Sequence, residues 1–181
     1  MASKIVLTGG PGTGKTTIMK QLDTLGHVCQ HEISRQIILE AQKNGIEQLF
    51  LEDPLAFSQA LFQGRKAQYL EESLAINNPV FFDRGLPDVV AYMDYLKQQS
   101  PEKFLKDLDK YRYDYVFILP PWQAIHVQDN ERYESFEQGQ KIHHFIANRY
   151  ENLGYRPIEV PVGTVNQRTE FILNHLSSNL F

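Results

Sequence analysis

The chain has 181 residues, a formal net charge of −4, 42% hydrophobic residues and 22% charged residues, enough for one ordinary core and too apolar for a disordered chain. The acidic balance argues against a general nucleic-acid or membrane-surface binder, and no segment approaches the ~20 apolar residues of a membrane span. A lone cysteine, Cys29, rules out an internal disulfide and a cysteine-based zinc site, and with no apolar leader before Gly9-Gly10 the expected location is cytoplasmic.

In chain order, Lys4–Thr8 reads as a strand stopped by glycines. A helix is predicted from about Gly14 to Leu25, with Gly26 as its stop. His27–Gln30 is a weak second strand, and Glu32 to about Asn44 reads as a helix with Ile33, Ile37, Ile38 and Ala41 at helical spacing. Asp53-Pro54 is a helix start, and the helix from Pro54 to about Ile76 carries apolar residues around most of its circumference. Pro79–Asp83 is a continuous apolar strand closed by an acid. Helices over Pro87–Gln98 and Pro101–Lys110 precede a further apolar strand, Tyr115–Leu119. A polar loop from Trp122 to about Phe136, a helix Ser135–Leu153, a strand Arg156–Pro161 and a helix from Thr164 to about Leu176 complete the chain. Fully apolar strands separated by helices imply a parallel sheet covered on both faces, in one α/β domain spanning 1–181.

The sharpest motif is Gly9-Gly10-Pro11-Gly12-Thr13-Gly14-Lys15-Thr16, which satisfies G-x-x-x-x-G-K-[ST] between a predicted strand and a predicted helix. Its glycines let backbone N–H groups curl around phosphate oxygens, and the helix N-terminus directs its dipole at the anion. The expected nucleotide contacts are Gly10, Pro11, Gly12, Thr13, Gly14, Lys15, Thr16 and Thr17. Lys15 reaches the β- and γ-phosphates and Thr16 supplies a Mg²⁺ ligand. No Asn-Lys-x-Asp pattern for guanine follows, which favours ATP.

Acids at strand ends of such sheets face the ligand crevice. Asp83 can hold the Mg²⁺ shell or take a proton from an acceptor hydroxyl, and Arg84 beside it can meet phosphate or a carboxylate. Glu32 and Arg35, three apart, would share a helix face and bind an acceptor, with Glu32 as a possible general base. Asp88 either joins this acidic cluster or serves the start of its own helix. Phe57, Gln59, Gln63 and Arg65 lie on the Pro54 helix, where glutamines can read a flat substrate. Arg132, with Arg149 and Lys141 behind it, would bring positive charge to the phosphoryl group from a lid of about 122–148. The scattered histidines make no metal pattern.

The runs 9–17, Glu32-Ile33-Ser34-Arg35, Phe82-Asp83-Arg84-Gly85-Leu86-Pro87-Asp88 and the late Arg132 segment together resemble the NadR-like P-loop ATPases. These are related to ribosylnicotinamide kinase and, more distantly, to thymidylate and deoxynucleoside kinases. The resemblance implies a three-layer P-loop NTPase fold with a five-stranded parallel sheet in the order 2-3-1-4-5 and a short lid. It also implies ATP with Mg²⁺, and a loop at Val162–Asn166, including Val165 and Asn166, against the adenine. At 181 residues the chain is expected to lack the further domains of multifunctional NadR proteins.

The expected activity is a small kinase. Thr16 and Asp83 hold Mg²⁺, while Lys15, Arg84 and Arg132 stabilise the moving phosphoryl group. Glu32 or Asp83 activates a hydroxyl, and Glu32, Arg35, Arg84 and Asp88 hold a nucleoside, nucleotide or similar acceptor. The alternatives are a regulatory ATPase acting on a protein partner and, lower, a polynucleotide 5′-hydroxyl kinase. Lys15→Ala removes a charge-assisted phosphate contact and should weaken ATP binding by about tenfold or more; calorimetric titration with Mg-ATP measures it, and unchanged affinity would remove the phosphate-loop assignment.

Overall fold

The computed structural model describes residues 3–71, 78–125 and 134–179. The element order is β1 (Lys4–Thr8), α1 (Lys15–Thr24), β2 (Val28–Gln30), α2 (Ser34–Lys43), α3 (Leu49–Glu52), α4 (Pro54–Leu70) and β3 (Val80–Asp83). It continues with α5 (Leu86–Tyr95), α6 (Glu102–Lys110), β4 (Tyr115–Ile118), a 3₁₀ turn (Gln123–Ile125), α7 (Phe136–Asn152), β5 (Ile158–Glu159) and α8 (Val165–Asn179). The five strands pair in parallel in the order β2-β3-β1-β4-β5, as the family resemblance implies.

Strand alternation divides the core. Ile5 and Leu7 of β1 pack with Phe81, Phe117, Ile18, Leu22 and Ile172 on the face covered by α1 and α8. Val6, between them, packs with Phe82, Val116, Ala91, Ile142 and Ile146 on the face covered by α5 and α7. A third cluster, Phe62, Leu86, Val90, Met93, Phe104 and Leu108, joins α4, α5 and α6. The register sets Leu7 opposite Asp83 and Thr8 opposite Ile118, so the loops after β1, β3 and β4 leave the sheet at one edge.

Several boundaries differ from the sequence reading. α2 starts at Ser34, not Glu32, because the Glu32 carboxylate turns back and accepts the Ile33 and Ser34 N–H groups at 3.0 and 3.1 Å. Glu32 and Arg35 therefore do not share a helix face. α4 ends at Leu70, with Glu71 extended at its C-cap, and 72–76 of the helix expected to Ile76 lie outside the described residues. α5 starts one residue early at Leu86 and stops at Tyr95, and the last strand shortens to Ile158–Glu159. Leu49–Glu52 forms a short helix with no counterpart in the reading. Of the segment expected to form a lid, 136–148 belong to α7, whose Gly139, Ile142 and Ile146 are buried; 126–133 lie outside the described residues. No helix among the described residues is long and apolar enough to cross a membrane.

Phe62 is fully buried and stacks on Phe104 with ring centroids 3.8 Å apart. Phe62→Ala should cost roughly 3–5 kcal/mol of stability by leaving a cavity between α4 and α6. Urea unfolding reads this as a lower midpoint with an unchanged slope.

Candidate active site

The loop after β1 is shaped by two glycines. Gly9 has φ +132°, and a Cβ there would stand 2.4 Å from the Leu119 carbonyl oxygen. Gly14 caps α1 with φ +88°, a left-handed conformation that L side chains rarely adopt. Lys15 opens α1 and is buried beneath the loop, where its Nζ donates to the Gly9 and Gly10 carbonyls at 3.0 and 2.7 Å and to Thr13 Oγ1 at 3.1 Å. Burial, reinforced by the Arg84 charge, holds its pKa below the ordinary lysine value against the pull of Asp83, Asp88 and Glu32. The loop amides and the start of α1 thus form an anion cradle with the ammonium inside it. Thr16 and Thr17 are exposed on the first turn of α1, and Gly10 is buried behind the half-buried Pro11 and Gly12.

On the β3 side of this cradle stands a network of ion pairs. Arg84 follows Asp83 with φ +70°, uncommon for a residue with a side chain. Its Nη1 donates to the Gly9 carbonyl at 3.1 Å and to Asp88 Oδ1 at 3.2 Å, and its Nε lies 3.1 Å from Glu32 Oε2. Arg65, buried on α4, places Nη2 at 3.1 and 3.0 Å from the two Glu32 oxygens and donates Nη1 to the Gly85 carbonyl at 3.2 Å. Burial alone would raise the Glu32 pKa, but the Arg65 and Arg84 charges and the Ser34 N–H outweigh it and hold this carboxyl at about 2.

Asp88, at the third position of α5, is fully buried and accepts from four donors: Thr8 Oγ1 at 2.6 Å, Gly85 N at 2.9 Å, Tyr150 Oη at 2.7 Å and Arg84 Nη1. It occupies the helix-start role. Asp83 differs from both neighbouring acids. It is 3% exposed, and among the described residues no hydrogen-bond donor reaches its carboxylate. Burial raises its pKa, more than Lys15 lowers it, with Glu32 adding repulsion. A buried carboxylate without a donor, in the field of Lys15, fits a hydrated Mg²⁺, which takes one or two carboxylates together with phosphate oxygens and waters.

The remaining expected residues are distributed differently. Arg35 is exposed on α2, and Val165 and Asn166 open α8. Arg132 lies outside the described residues. Arg149 pairs with Asp94 of α5 through two hydrogen bonds, which places it in the α5–α7 contact rather than in a lid. Gln59 and Gln63 are exposed, whereas Gln36 and Gln68 line a groove of about 560 Å³ between α2 and α4. The groove also takes in Ile33, Ile37, Leu49 and Gly64, and so begins beside the Glu32–Arg65 pair. Two residues outside the sequence reading stand at the cradle. His143 of α7 has a buried Nδ1 without a partner among the described residues, and burial, with Lys15 adding, lowers its pKa to about 4. Arg168 of α8 donates Nη1 to the Thr13 carbonyl at 2.9 Å. Neither sits in a local motif; only the chain's return to the loop brings them there.

The Glu32 pairing makes stability depend on pH. Its folded pKa lies below the unfolded value of about 4.5, so its stabilisation is complete above pH 4.5 and is lost as the pH falls toward 2. Glu32→Gln should destabilise the protein by roughly 2–4 kcal/mol at pH 7, because the buried Arg65 loses its counter-charge and Arg84 is left with Asp88 alone. Urea titrations at pH 7 and pH 3 should show the gap between wild type and variant narrowing at the lower pH.

The same fold occurs in several solved kinases. Deoxyadenosine kinase from M. mycoides with bound dATP superposes with a TM-score of 0.65 at 18% identity, covering 96% of this chain and 99% of that one. Thymidylate kinase from Candida albicans gives 0.66 at 17% identity, over 99% and 92% of the two chains. NadR protein in complex with NAD and AMP-PNP gives 0.66 at 17% identity and covers 99% of this chain, which spans 50% of the NadR chain. No curated protein matches by sequence. Residues 4–168 match the family model described as the AAA domain, and the chain belongs to that family.

Proposed function

We propose that the protein is a small-molecule kinase that transfers the γ-phosphate of ATP to a hydroxyl or phosphate of a nucleoside, nucleotide or metabolite of similar size. The observation that carries this reading is the contrast between two acids beside one phosphate cradle. Glu32 is saturated by two arginines and two backbone N–H groups and is a poor base. Asp83 is buried, has no donor among the described residues, and is shifted toward holding a proton. Acids pushed apart in this way mark a division of roles.

Asp83 then takes the proton of the acceptor hydroxyl as its oxygen bonds the γ-phosphorus, while the bond from that phosphorus to the β–γ bridging oxygen breaks and ADP leaves. Mg²⁺, held by Thr16 and one Asp83 oxygen, would neutralise charge on the β- and γ-oxygens. Lys15 exchanges its loop carbonyls for those same oxygens, and Arg84 stands beside them at the Gly9 carbonyl. Glu32 and Asp88 hold Arg84 rather than meet the acceptor. Arg132 keeps its expected role as a lid cation and Arg35 that of an acceptor contact from α2.

The groove between α2 and α4 supplies a place for the acceptor. Its apolar Ile33 and Ile37 can cover a flat ring while Gln36 and Gln68 reach its polar edge. The fold shared with deoxyadenosine kinase, thymidylate kinase and NadR supports the reading.

Asp83→Asn should keep ATP binding and lower phosphoryl transfer by roughly 10²-fold or more. The assay supplies Mg-ATP and a panel of nucleosides, nucleotides and sugar-like metabolites, and follows ADP release and phosphorylated product. If no acceptor stimulates ADP release above the acceptor-free rate, the protein is an ATPase rather than a kinase; full activity in the variant would remove Asp83 from the reaction.

A further inference from the structure

We propose that Arg168 is a ligand of the donor nucleotide, taking two adjacent acceptor atoms on the free edge of its guanidinium. The proposal rests on the kinase reading in requiring that a nucleoside triphosphate occupy the loop with its γ-phosphate toward Asp83.

Arg168 is 3% exposed. Its Nη1 is fixed on the Thr13 carbonyl, 155 positions away along the chain. Gly14 makes room for this contact, since a Cβ there would stand 2.9 Å from Nη1. The other two nitrogens, Nε and Nη2, are buried and have no hydrogen-bond partner among the described residues. Their N–H bonds lie parallel along one side of the planar group, the edge that receives paired oxygens. Among the described residues no carboxylate offsets the charge, and burial lowers the pKa of this arginine. Buried donors and buried charges are ordinarily satisfied. An anchored, dry, two-donor edge at the rim of a phosphate loop therefore calls for a ligand with two acceptors.

The sheet order indicates which part of the nucleotide meets it. Asp83 ends β3, on one side of β1, so the γ-phosphate must face that side. The nucleoside end then extends toward β4 and β5. Arg168 stands there, on the helix after β5, with its guanidinium 6.0 Å from the ring of Trp122, which follows β4. Two sources at that end carry adjacent acceptors: the non-bridging oxygens of the α-phosphate, and O6 with N7 of a 6-oxo purine. The major-groove edge of adenine offers one acceptor beside one donor and cannot fill both positions. The unpaired charge favours the phosphate.

Trp122 is the chain's only tryptophan, so its emission reports this corner of the molecule. The full chain is titrated with Mg-ATP and with Mg-GTP, following emission for wild type and for Arg168→Lys. Lysine keeps the charge and a donor for the Thr13 carbonyl but lacks the paired edge. The expected result is a nucleotide-dependent change in emission and an affinity about tenfold weaker in the variant, with its melting midpoint unchanged. Equal loss for ATP and GTP assigns the α-phosphate; loss confined to GTP assigns the base edge. Wild-type affinity for both nucleotides in the variant would overturn the proposal. So would a lowered melting midpoint with full affinity once the variant is cooled and folded, which would leave Arg168 as a tether for the loop. A wild-type chain that binds neither nucleotide would refute the kinase reading itself, whereas binding that survives Arg168→Lys refutes only this assignment.

Discussion

The site depends on the Arg84 guanidinium, which joins three separate segments. One nitrogen serves both the Gly9 carbonyl of the phosphate loop and Asp88 at the start of α5, and another meets Glu32 before α2. To reach all three, the backbone at Arg84 adopts φ +70°, a conformation that costs on the order of 1–3 kcal/mol for such a residue. The charged contacts offset that cost, and the result is a rigid seam between the phosphate loop and the β3 edge. Asp88 secures the seam from below, since Thr8, Gly85 and Tyr150 leave its carboxylate no freedom to turn.

This seam divides the acids by environment rather than by type. Three carboxylates lie near one lysine, and each has a different fate. Asp88 is locked by four donors, Glu32 by two arginines, and Asp83 by no donor among the described residues. In the proposed reaction this leaves a single carboxylate able to hold a metal ion or accept a proton, while the other two keep the cationic frame in place. In that proposal, removing Glu32 would act first on the fold and only through it on chemistry, whereas removing Asp83 would act on chemistry directly.

The two sides of β1 carry different tasks in the same proposal. The β3 side gathers the acids and, beyond them, the groove between α2 and α4. The β4–β5 side gathers Trp122, Ile125 and Arg168 around Gly14. A nucleotide lying across the loop would have its reacting end toward the first and its nucleoside end toward the second. The parallel sheet makes this possible because every strand delivers its following loop to the same edge.

Much of the architecture was legible in the sequence. Apolar strand runs, helix caps at Asp53-Pro54 and Ser135, and the glycine spacing of 9–16 depend on interactions within a few residues, and local periodicity reports those directly. Asp83 could be placed at a strand end for the same reason. The partners of the charged residues could not be read, because hydrogen bonding and burial there join positions far apart in the chain. Glu32 leaves its helix to meet Arg65, 33 residues on, and Asp88 is completed by Tyr150, 62 residues on. Arg168 reaches the phosphate loop only because α8 packs back beside α1. The sequence by itself determined the strand order's building blocks and the phosphate-binding loop, since these follow from backbone geometry over short spans. Only the tertiary structure decided which charges are neutralised and which remain available, since that depends on distances and solvent exclusion between segments that no spacing rule connects.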